Sequence, residues 1–146
     1  KAIGVFSRKS VMPKLLHVNS YEMNKRIYEK EIEYLNHIID MARRYMEDRQ
    51  NINIGIFGTS IAGIWLSEII TKGNYVRADQ QVFYVEEDED YLQRKIGVNE
   101  YPVRRLDEID GSAIIFLPFP QYVAENIIKR CEKRYRNLEF VNFKFG

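Results

Sequence analysis

The residues best suited to chemistry lie in one short stretch, Gly-Ile-Phe-Gly58-Thr-Ser-Ile-Ala-Gly63. Gly58 and Gly63 occupy the first and third glycine positions of the pattern G-x-G-x-x-G, and Ser60 stands in the second. Between a strand and a helix, such a turn holds a phosphate with its backbone N–H groups and the positive start of the helix. The sequence therefore predicts an anion-binding turn made by Gly58, Thr59, Ser60, Ile61 and Gly63.

Ser60 leaves two interpretations of this turn open. The middle glycine of the pattern normally lets the backbone approach a pyrophosphate closely, and a serine adds a side chain there. The hydroxyls of Thr59 and Ser60, in return, are further donors for a phosphate. On the other interpretation, Gly58 and Gly63 only form the turn and let the helix approach the sheet.

Glu86 is the second candidate binding group. It follows a predicted strand at residues 81–85, where dinucleotide-binding α/β domains place a carboxylate that accepts hydrogen bonds from ribose hydroxyls. Glu87 or Asp88 would serve the same purpose, and a solvated acidic loop is the alternative interpretation. The run 86–90 lacks the D-x-D-x-D-G spacing of a calcium loop.

Two aromatic residues are predicted to form the opposite wall of the site. The segment Pro118-Phe119-Pro120 follows an apolar strand at 113–117, which should lie beside the first strand. Ligands of parallel sheets bind in the crevice between two such neighbouring strand ends. Phe119 and Tyr122 are therefore candidate contacts, although the two prolines also fit a rigid turn without any ligand.

No catalytic residue and no metal site are predicted in this chain. One cysteine, Cys131, and two histidines, His17 and His37, cannot together build a His/Cys zinc cage. Cys131 lies on the apolar face of a predicted helix, which favours a buried, unreactive thiol. Neither histidine has a partner that the sequence reveals.

The composition excludes two classes of partner. The 22 basic and 21 acidic residues are mixed along the chain and give a net charge of +1, so no basic face for nucleic acid is predicted. No apolar run approaches the roughly 18–20 residues of a membrane span, and the given amino terminus lacks the basic-then-apolar pattern of a signal peptide. The single cysteine fits a reducing compartment, which predicts a cytoplasmic location. Because the chain opens with Lys1, we expect it to be a piece of a longer polypeptide.

The elements that must position these residues fall into three predicted segments: an irregular segment at 1–18, a long amphipathic helix at 19–50, and an α/β domain at 51–146. Asn19 and Glu22 have the spacing of a capping box that would begin the helix. An apolar stripe then recurs at steps of four and three, at Tyr28, Ile32, Leu35, Ile39, Ala42 and Met46. A second apolar set widens this face and consists of Ile27, Tyr34, Ile38 and Tyr45. The broad face predicts packing on the chain's own sheet and a homodimer formed through residues 20–49.

In the 51–146 segment, predicted strands alternate with predicted helices. The strands fall at 52–57, 81–85, 113–117 and 138–145, and the helices at 64–71 and 121–135. This alternation is typical of βαβ units and a mainly parallel sheet. We therefore predict a Rossmann-like, doubly wound sheet of about five strands, with the Gly58 turn at the carboxyl end of a central strand. Residues 91–107 are predicted to hold only short structure.

These motifs, taken in order, resemble a known family. The glycine turn is followed by Val-Phe-Tyr-Val-Glu-Glu87, then by Gly97 and Tyr-Pro-Val103, and then by Ile-Ile-Phe-Leu-Pro118. From Tyr28 to Gly146 the chain resembles the Rossmann-like carboxy-terminal domain of bacterial sugar C-methyltransferases. It is also similar to the amino-terminal domain of sugar N-acetyltransferases of glycan biosynthesis.

The resemblance implies an auxiliary domain that binds a nucleotide or nucleotide-sugar within a larger bacterial transferase. Gly58, Thr59, Ser60 and Gly63 would contact that ligand, and Glu86 would lie near its sugar. The acidic pair of the family is expected as aspartates and is Glu86-Glu87 here. Two alternatives stay open: the NAD(P)-binding domain of a dehydrogenase or epimerase, and a degenerate Rossmann domain that serves assembly only.

Overall fold

The computed structural model describes the backbone of residues 3–91, 95–96 and 100–144, and the side chains of 20–90 and 100–144. The helices are α1 (Ile3–Asp48), α2 (Ile61–Lys72) and α3 (Gln121–Cys131). The strands are β1 (Asn53–Phe57), β2 (Val82–Val85), β3 (Lys95–Ile96), β4 (Tyr101–Arg104), β5 (Ala113–Leu117) and β6 (Leu138–Asn142). Two short 3₁₀ turns lie at Glu89–Tyr91 and Leu106–Glu108.

Within the described residues the sheet has six strands in the order β3-β4-β2-β1-β5-β6. The neighbours from β4 to β6 pair in parallel, and β3 pairs antiparallel with β4. The predicted Rossmann-like α/β fold is thereby confirmed. Strand β1 is central, and the chain moves from β1 to β2 on one side and returns to β5 on the other, which makes the gap between β1 and β5 the topological switch point.

The 91–107 stretch contains a parallel strand that the sequence did not reveal. Strand β4 pairs Val103 with Tyr84 of β2, and Pro102 faces Lys95 of β3. Pro102 has no N–H to donate to a neighbouring strand, and a proline inside a run argues against a strand in sequence reasoning. The end of α3 was also predicted too late, at 135 rather than Cys131.

Helix α1 begins earlier than predicted, at Ile3 rather than Asn19, so the expectation of an irregular segment at 1–18 is wrong for the backbone of residues 3–18. A capping pattern marks a residue that can begin a helix, but it does not stop a helix from running through that position. The chain divides into two compact units, Lys1–Asn36 and His37–Gly146. In the described part of the chain, no helix combines the length and apolar character that crossing a bilayer requires.

The apolar core of the 37–146 unit lies on both faces of the sheet. Alternate residues of β1, β2 and β5 pack on one face with α3 in a cluster that contains Phe57, Phe83, Val85, Ile115, Leu117, Ala124, Ile127 and Cys131. On the other face, Ser67 of α2 hydrogen-bonds the buried hydroxyl of Tyr84 at 2.6 Å. Both faces of β5 are buried, as its unbroken apolar sequence predicts.

From the predicted apolar stripe of α1, Ala42 and Met46 are buried in the 37–146 unit, together with Ile38 of the second set. The chain after α1 is tied to the end of the sheet by a bidentate pair between Arg49 and Glu139, at 2.7 and 2.8 Å. His37 contacts the carbonyl oxygen of Lys144 through Nε2. These contacts fix the last turns of α1 on the same unit as the sheet.

Candidate ligand-binding site

The turn after β1 needs glycine at its first position for two reasons. Gly58 has φ +86°, a left-handed conformation that side chains with a Cβ rarely adopt. A Cβ on Gly58 would also lie 2.8 Å from the Cζ atom of Phe119. The N–H of Gly58 donates to the carbonyl of Val85 at 2.7 Å, so the turn begins as a continuation of the β1–β2 ladder.

Gly63 lets α2 start directly against this turn. A Cβ on Gly63 would lie 2.6 Å from the carbonyl oxygen of Gly58, a backbone atom that cannot move aside. The third glycine of the pattern thus has its expected packing role between helix and strand. Packing alone accounts for both glycines, so they do not decide between the two interpretations of the turn.

Ser60 is the N-cap of α2, with extended backbone angles, and its Oγ accepts from the N–H of Gly63 at 3.4 Å. A serine at this position is a preferred helix start, which is a structural reason for the departure from glycine. Its O–H hydrogen is not used by this bond and can donate to a ligand. Ile61, in the first turn, is 88% exposed.

Thr59 and Glu86, which the sequence places 27 residues apart, lie in contact. The Thr59 Oγ1 hydroxyl donates to Glu86 Oε2 at 3.1 Å. The other carboxylate oxygen of Glu86 accepts from the backbone N–H of Glu87 at 3.2 Å. The backbone of Glu86 is held at the carboxyl end of the sheet because its N–H donates to the Arg104 carbonyl at 3.1 Å. The predicted carboxylate therefore lies beside the predicted anion-binding turn.

Phe119 lies over the glycine turn at the switch point. Its ring packs edge-to-face on Phe57 with a centroid distance of 6.0 Å, besides its approach to Gly58. Its own N–H donates to the Leu117 carbonyl, which directs the backbone back over the end of β5. Tyr122, in the first turn of α3, is 70% exposed. Phe119 thus forms a wall of the crevice, and Tyr122 projects into solvent.

A cavity of about 170 Å³ lies on the other side of Glu86, away from the switch point. It is lined by residues that follow β2, β4 and α3: Glu86, Glu87, Arg105, Leu106, Asp107, Arg134 and Tyr135. Five of these, Arg105, Leu106, Asp107, Arg134 and Tyr135, were not predicted as site residues. Arg105 and Asp107 were missed because strand β4 was not predicted. These two residues follow β4 and therefore lie at the same carboxyl end of the sheet as Glu86.

Several charges around this cavity are already paired. Glu87 forms a bidentate pair with Arg130, and its hydrogen bond raises the pKa of that guanidinium. Arg105 pairs with Glu89 at 3.3 Å and with Asp107 at 3.4 Å. Arg134 lies over the ring of Tyr135, with 5.2 Å between its Cζ and the ring centroid. The cavity therefore has a polar rim and one planar stacked surface.

The remaining candidate groups have structural roles or lie elsewhere. Cys131 is buried on α3, and burial raises the pKa of its thiol, which favours the unreactive protonated form. The side chain of His17 and the residue Gly97 lie outside the described residues. Among the side chains that the structure describes, no three His, Cys, Asp or Glu residues cluster as metal ligands do.

Comparison of the chain with protein-family models, curated proteins and solved structures finds no match in any of the three. The resemblance to sugar-modifying transferases stays a prediction from the sequence motifs.

Proposed function

We propose that the 37–146 unit binds a nucleotide-type ligand, a nucleotide or nucleotide-sugar, as an auxiliary domain of a larger sugar-modifying transferase. The observation that carries the proposal is the contact between Thr59 and Glu86. It brings the Glu86 carboxylate close to the start of α2. A carboxylate for ribose hydroxyls beside a helix start for phosphate is the pairing that nucleotide-binding α/β domains use, and this supports the proposal.

The phosphate would lie at the start of α2. The first backbone N–H groups of a helix have no partner inside the helix, and the helix dipole makes this end attractive to anions. The first turn of α2 contains no acidic residue that would compete with an anion. The N–H groups of Thr59, Ser60 and Ile61, with the Ser60 hydroxyl, are the proposed donors.

The ribose would lie against Glu86. An ionised carboxylate has about four acceptor sites on its two oxygens. The Thr59 hydroxyl and the Glu87 N–H occupy two of them, which leaves capacity for a vicinal pair of ribose hydroxyls. The half-buried position of Glu86 keeps this carboxylate fixed without removing it from solvent.

The cavity beyond Glu86 has room for one further ring of the ligand. Sites for whole drug-sized ligands occupy about 300–1,000 Å³, whereas this cavity is about 170 Å³. A base or sugar ring could lie on the Arg134–Tyr135 stack, with its amino or hydroxyl groups donating to the carboxylates of the rim. The rest of the ligand would extend along the sheet edge.

The position of Phe119 favours a nucleotide or nucleotide-sugar over a dinucleotide. A pyrophosphate that crosses the switch point must approach the first glycine closely, and the ring of Phe119 already lies over Gly58. An NAD(P) molecule bound in that way would require this ring to rotate. A ligand whose phosphates stay on the Thr59–Ile61 side leaves the ring in place.

Calorimetric titration of the chain with nucleoside diphosphates, nucleotide-sugars and NAD(P) tests this proposal. We expect saturable binding of at least one nucleoside diphosphate or nucleotide-sugar. In a parallel NMR titration, the amide shifts should be concentrated at residues 59–61 and 86–87. Preferential binding of NAD(P) would favour the dehydrogenase alternative. No binding of any of them at millimolar concentration would leave Gly58 and Gly63 as packing residues only.

A second candidate function, assembly, has one observation in its favour. On α1, within the 1–36 unit, six large apolar side chains are 37–64% exposed: Tyr21, Met23, Ile27, Tyr28, Ile32 and Leu35. Four of them, Tyr21, Tyr28, Ile32 and Leu35, recur at helical spacing on one face of α1. Exposed apolar surface of this kind marks interaction sites, and the predicted homodimer through 20–49 would cover this face. Light scattering of the parent protein, of Ile32→Glu and of the control Lys30→Glu tests the assembly function. We expect an oligomeric parent protein that Ile32→Glu converts to a monomer and Lys30→Glu does not. A monomeric parent protein would contradict the assembly function.

A further inference from the structure

We propose a second binding site, for a phosphate group carried by a small hydroxylated molecule, in an open cleft at the amino edge of the sheet. The cleft has a volume of about 230 Å³ and lies between the end of α1 and the loop after α2. The residues that carry the argument are Arg43, Glu47, Gln50, Asn74, Tyr75 and Arg77. They precede β1 and β2, whereas the Gly58 turn and Glu86 follow these two strands, so this site is separate from the one proposed above.

The side chains of the cleft are mostly hydrogen-bond donors. Arg43 and Arg77 contribute two guanidinium groups, Gln50 and Asn74 two amides, and Tyr75 a phenol. Glu47 is the one carboxylate among these lining residues. Among these lining residues two positive charges stand against one negative charge, and Asp40, which pairs with Arg43 from outside the cleft, offsets part of this excess. Guanidinium groups bind phosphate oxygens in a planar, bidentate manner, and Glu47 can accept from a neighbouring hydroxyl of the same ligand.

Arg43 has donor capacity that the described residues do not use. Its Nε atom is buried and has no hydrogen-bond partner in the described part of the chain. Its Nη2 atom reaches Asp40 on the same helix at 3.5 Å, which is a long contact. Because the protein covers Nε, a ligand in the cleft cannot reach that atom. The Arg43 side chain is nevertheless 43% exposed, and its Nη groups can donate to a phosphate oxygen in the cleft.

The arginines are not needed to neutralise the end of α2. The last carbonyls of that helix accept from the chain that follows: Ile69 from Gly73 at 2.9 Å, Ile70 from Tyr75 at 3.1 Å, and Thr71 from Asn74 at 3.2 Å. Asn74 takes a left-handed φ of 55° to make this closing turn. These three carbonyls are therefore satisfied by backbone N–H groups and do not need the guanidinium of Arg77.

The two sides of the cleft are held together before any ligand binds. The buried amide of Gln80 accepts from the N–H of Arg77 at 3.0 Å. The same amide donates to the carbonyls of Ile52 at 2.8 Å and Arg49 at 3.3 Å. The loop after α2 is thereby fixed to the chain that follows α1. A site that is already ordered loses less entropy on binding, which suits a small anion.

Titration of the ¹⁵N-labelled chain with inorganic phosphate and with glycerol phosphate, at constant ionic strength, tests this site. We expect saturable shifts at the amides of Asn74, Tyr75 and Arg77 in the millimolar range, with glycerol phosphate binding more tightly. Arg43→Gln and Arg77→Gln should each weaken this binding at least tenfold. Arg44→Gln is the matched control, because Arg44 is an exposed neighbour of Arg43 that does not line the cleft, and it should change the affinity less than twofold.

Two results would overturn the proposal. One is the absence of saturable shifts at these amides with either probe throughout the millimolar range at constant ionic strength. The other is an equal loss of affinity in Arg44→Gln, which would show a general charge effect. If Arg43→Gln does not fold, Arg77→Gln decides alone. Shifts at 59–61 report on the Gly58 turn and are scored separately.

Discussion

The hydroxyl of Thr59 donates a hydrogen bond to the carboxylate of Glu86 across 3.1 Å, and this bond joins the ends of β1 and β2. Thr59 belongs to the glycine turn and Glu86 to the acidic run, so the two motifs form one continuous surface at the carboxyl end of the sheet. The proposed nucleotide site depends on that continuity, since phosphate and ribose are adjacent groups of one ligand.

Glu86→Gln should weaken nucleotide binding about tenfold while the melting temperature holds. A hydrogen bond to a charged acceptor contributes about 1.5–3 kcal/mol, and the amide keeps the shape but not the charge. Calorimetry with the best ligand of the panel measures the change. Glu132→Gln removes one exposed carboxylate just after α3 and should have no effect. Equal affinities for the Glu86 variant and the parent protein would remove ribose recognition from this residue.

Gly63→Ala should destabilise the fold more than Gly111→Ala. The added Cβ at 63 would overlap the Gly58 carbonyl at 2.6 Å, whereas nothing lies within 4 Å of a Cβ at 111, where only the positive φ of 75° opposes alanine. The overpacking in Gly63→Ala costs about 1–3 kcal/mol. The left-handed conformation in Gly111→Ala costs about 1–2 kcal/mol. Urea unfolding measures both. A Gly63 variant as stable as the parent would contradict the close approach of α2 to the turn.

Removing the two partners of the buried Ser67–Tyr84 hydrogen bond should have unequal costs. In Tyr84→Phe, Ser67 keeps its bond to the Ile64 carbonyl at 2.7 Å, so about 0.5–1.5 kcal/mol is lost. In Ser67→Ala, the fully buried hydroxyl of Tyr84 loses this partner, which costs about 1–3 kcal/mol. Chemical denaturation of both variants gives the order. A larger loss for Tyr84→Phe would show that the ring hydroxyl has another partner.

Cys131 should react slowly with a thiol reagent in the native protein at pH 8 and rapidly in urea. Burial raises the pKa of its thiol above the ordinary value of about 8.5, so the native state retains the proton that the unfolded state releases. The stability from this group is complete below the unfolded pKa and is lost as the pH rises through the native pKa. Stopped-flow labelling measures the rates. Fast native labelling would contradict the burial of Cys131.

Much of this architecture follows from the sequence pattern. The alternation of short apolar runs with helical stripes predicts β1, β2, β5 and β6, and the glycine spacing predicts the turn with its close helix. Strand β4 was not predicted, because a proline inside the run, Pro102, argues against a strand. Its stability comes from Tyr84 and the rest of β2 beside it, a tertiary effect that no local pattern contains.

The site shows the same division between local and tertiary information. Residues in one turn, such as Thr59 and Ser60, were predictable because their neighbours in the chain are their neighbours in space. The ring of Phe119 on Gly58, and the return of Arg134 and Tyr135 toward Glu86, depend on how α3 crosses the sheet. Sequence spacing carries no distance between such segments, so these contacts required the structure.

The measurement that tests the central claim most directly compares Ser60→Asp with Ser60→Asn in calorimetric titrations of the best nucleotide ligand. Both residues cap a helix as well as serine does, so both variants should keep the melting temperature of the parent protein. They differ by one negative charge at the start of α2. We predict at least a tenfold loss of affinity in Ser60→Asp and less than a threefold loss in Ser60→Asn. Equal affinities in the two variants would show that no phosphate lies at the Gly58 turn.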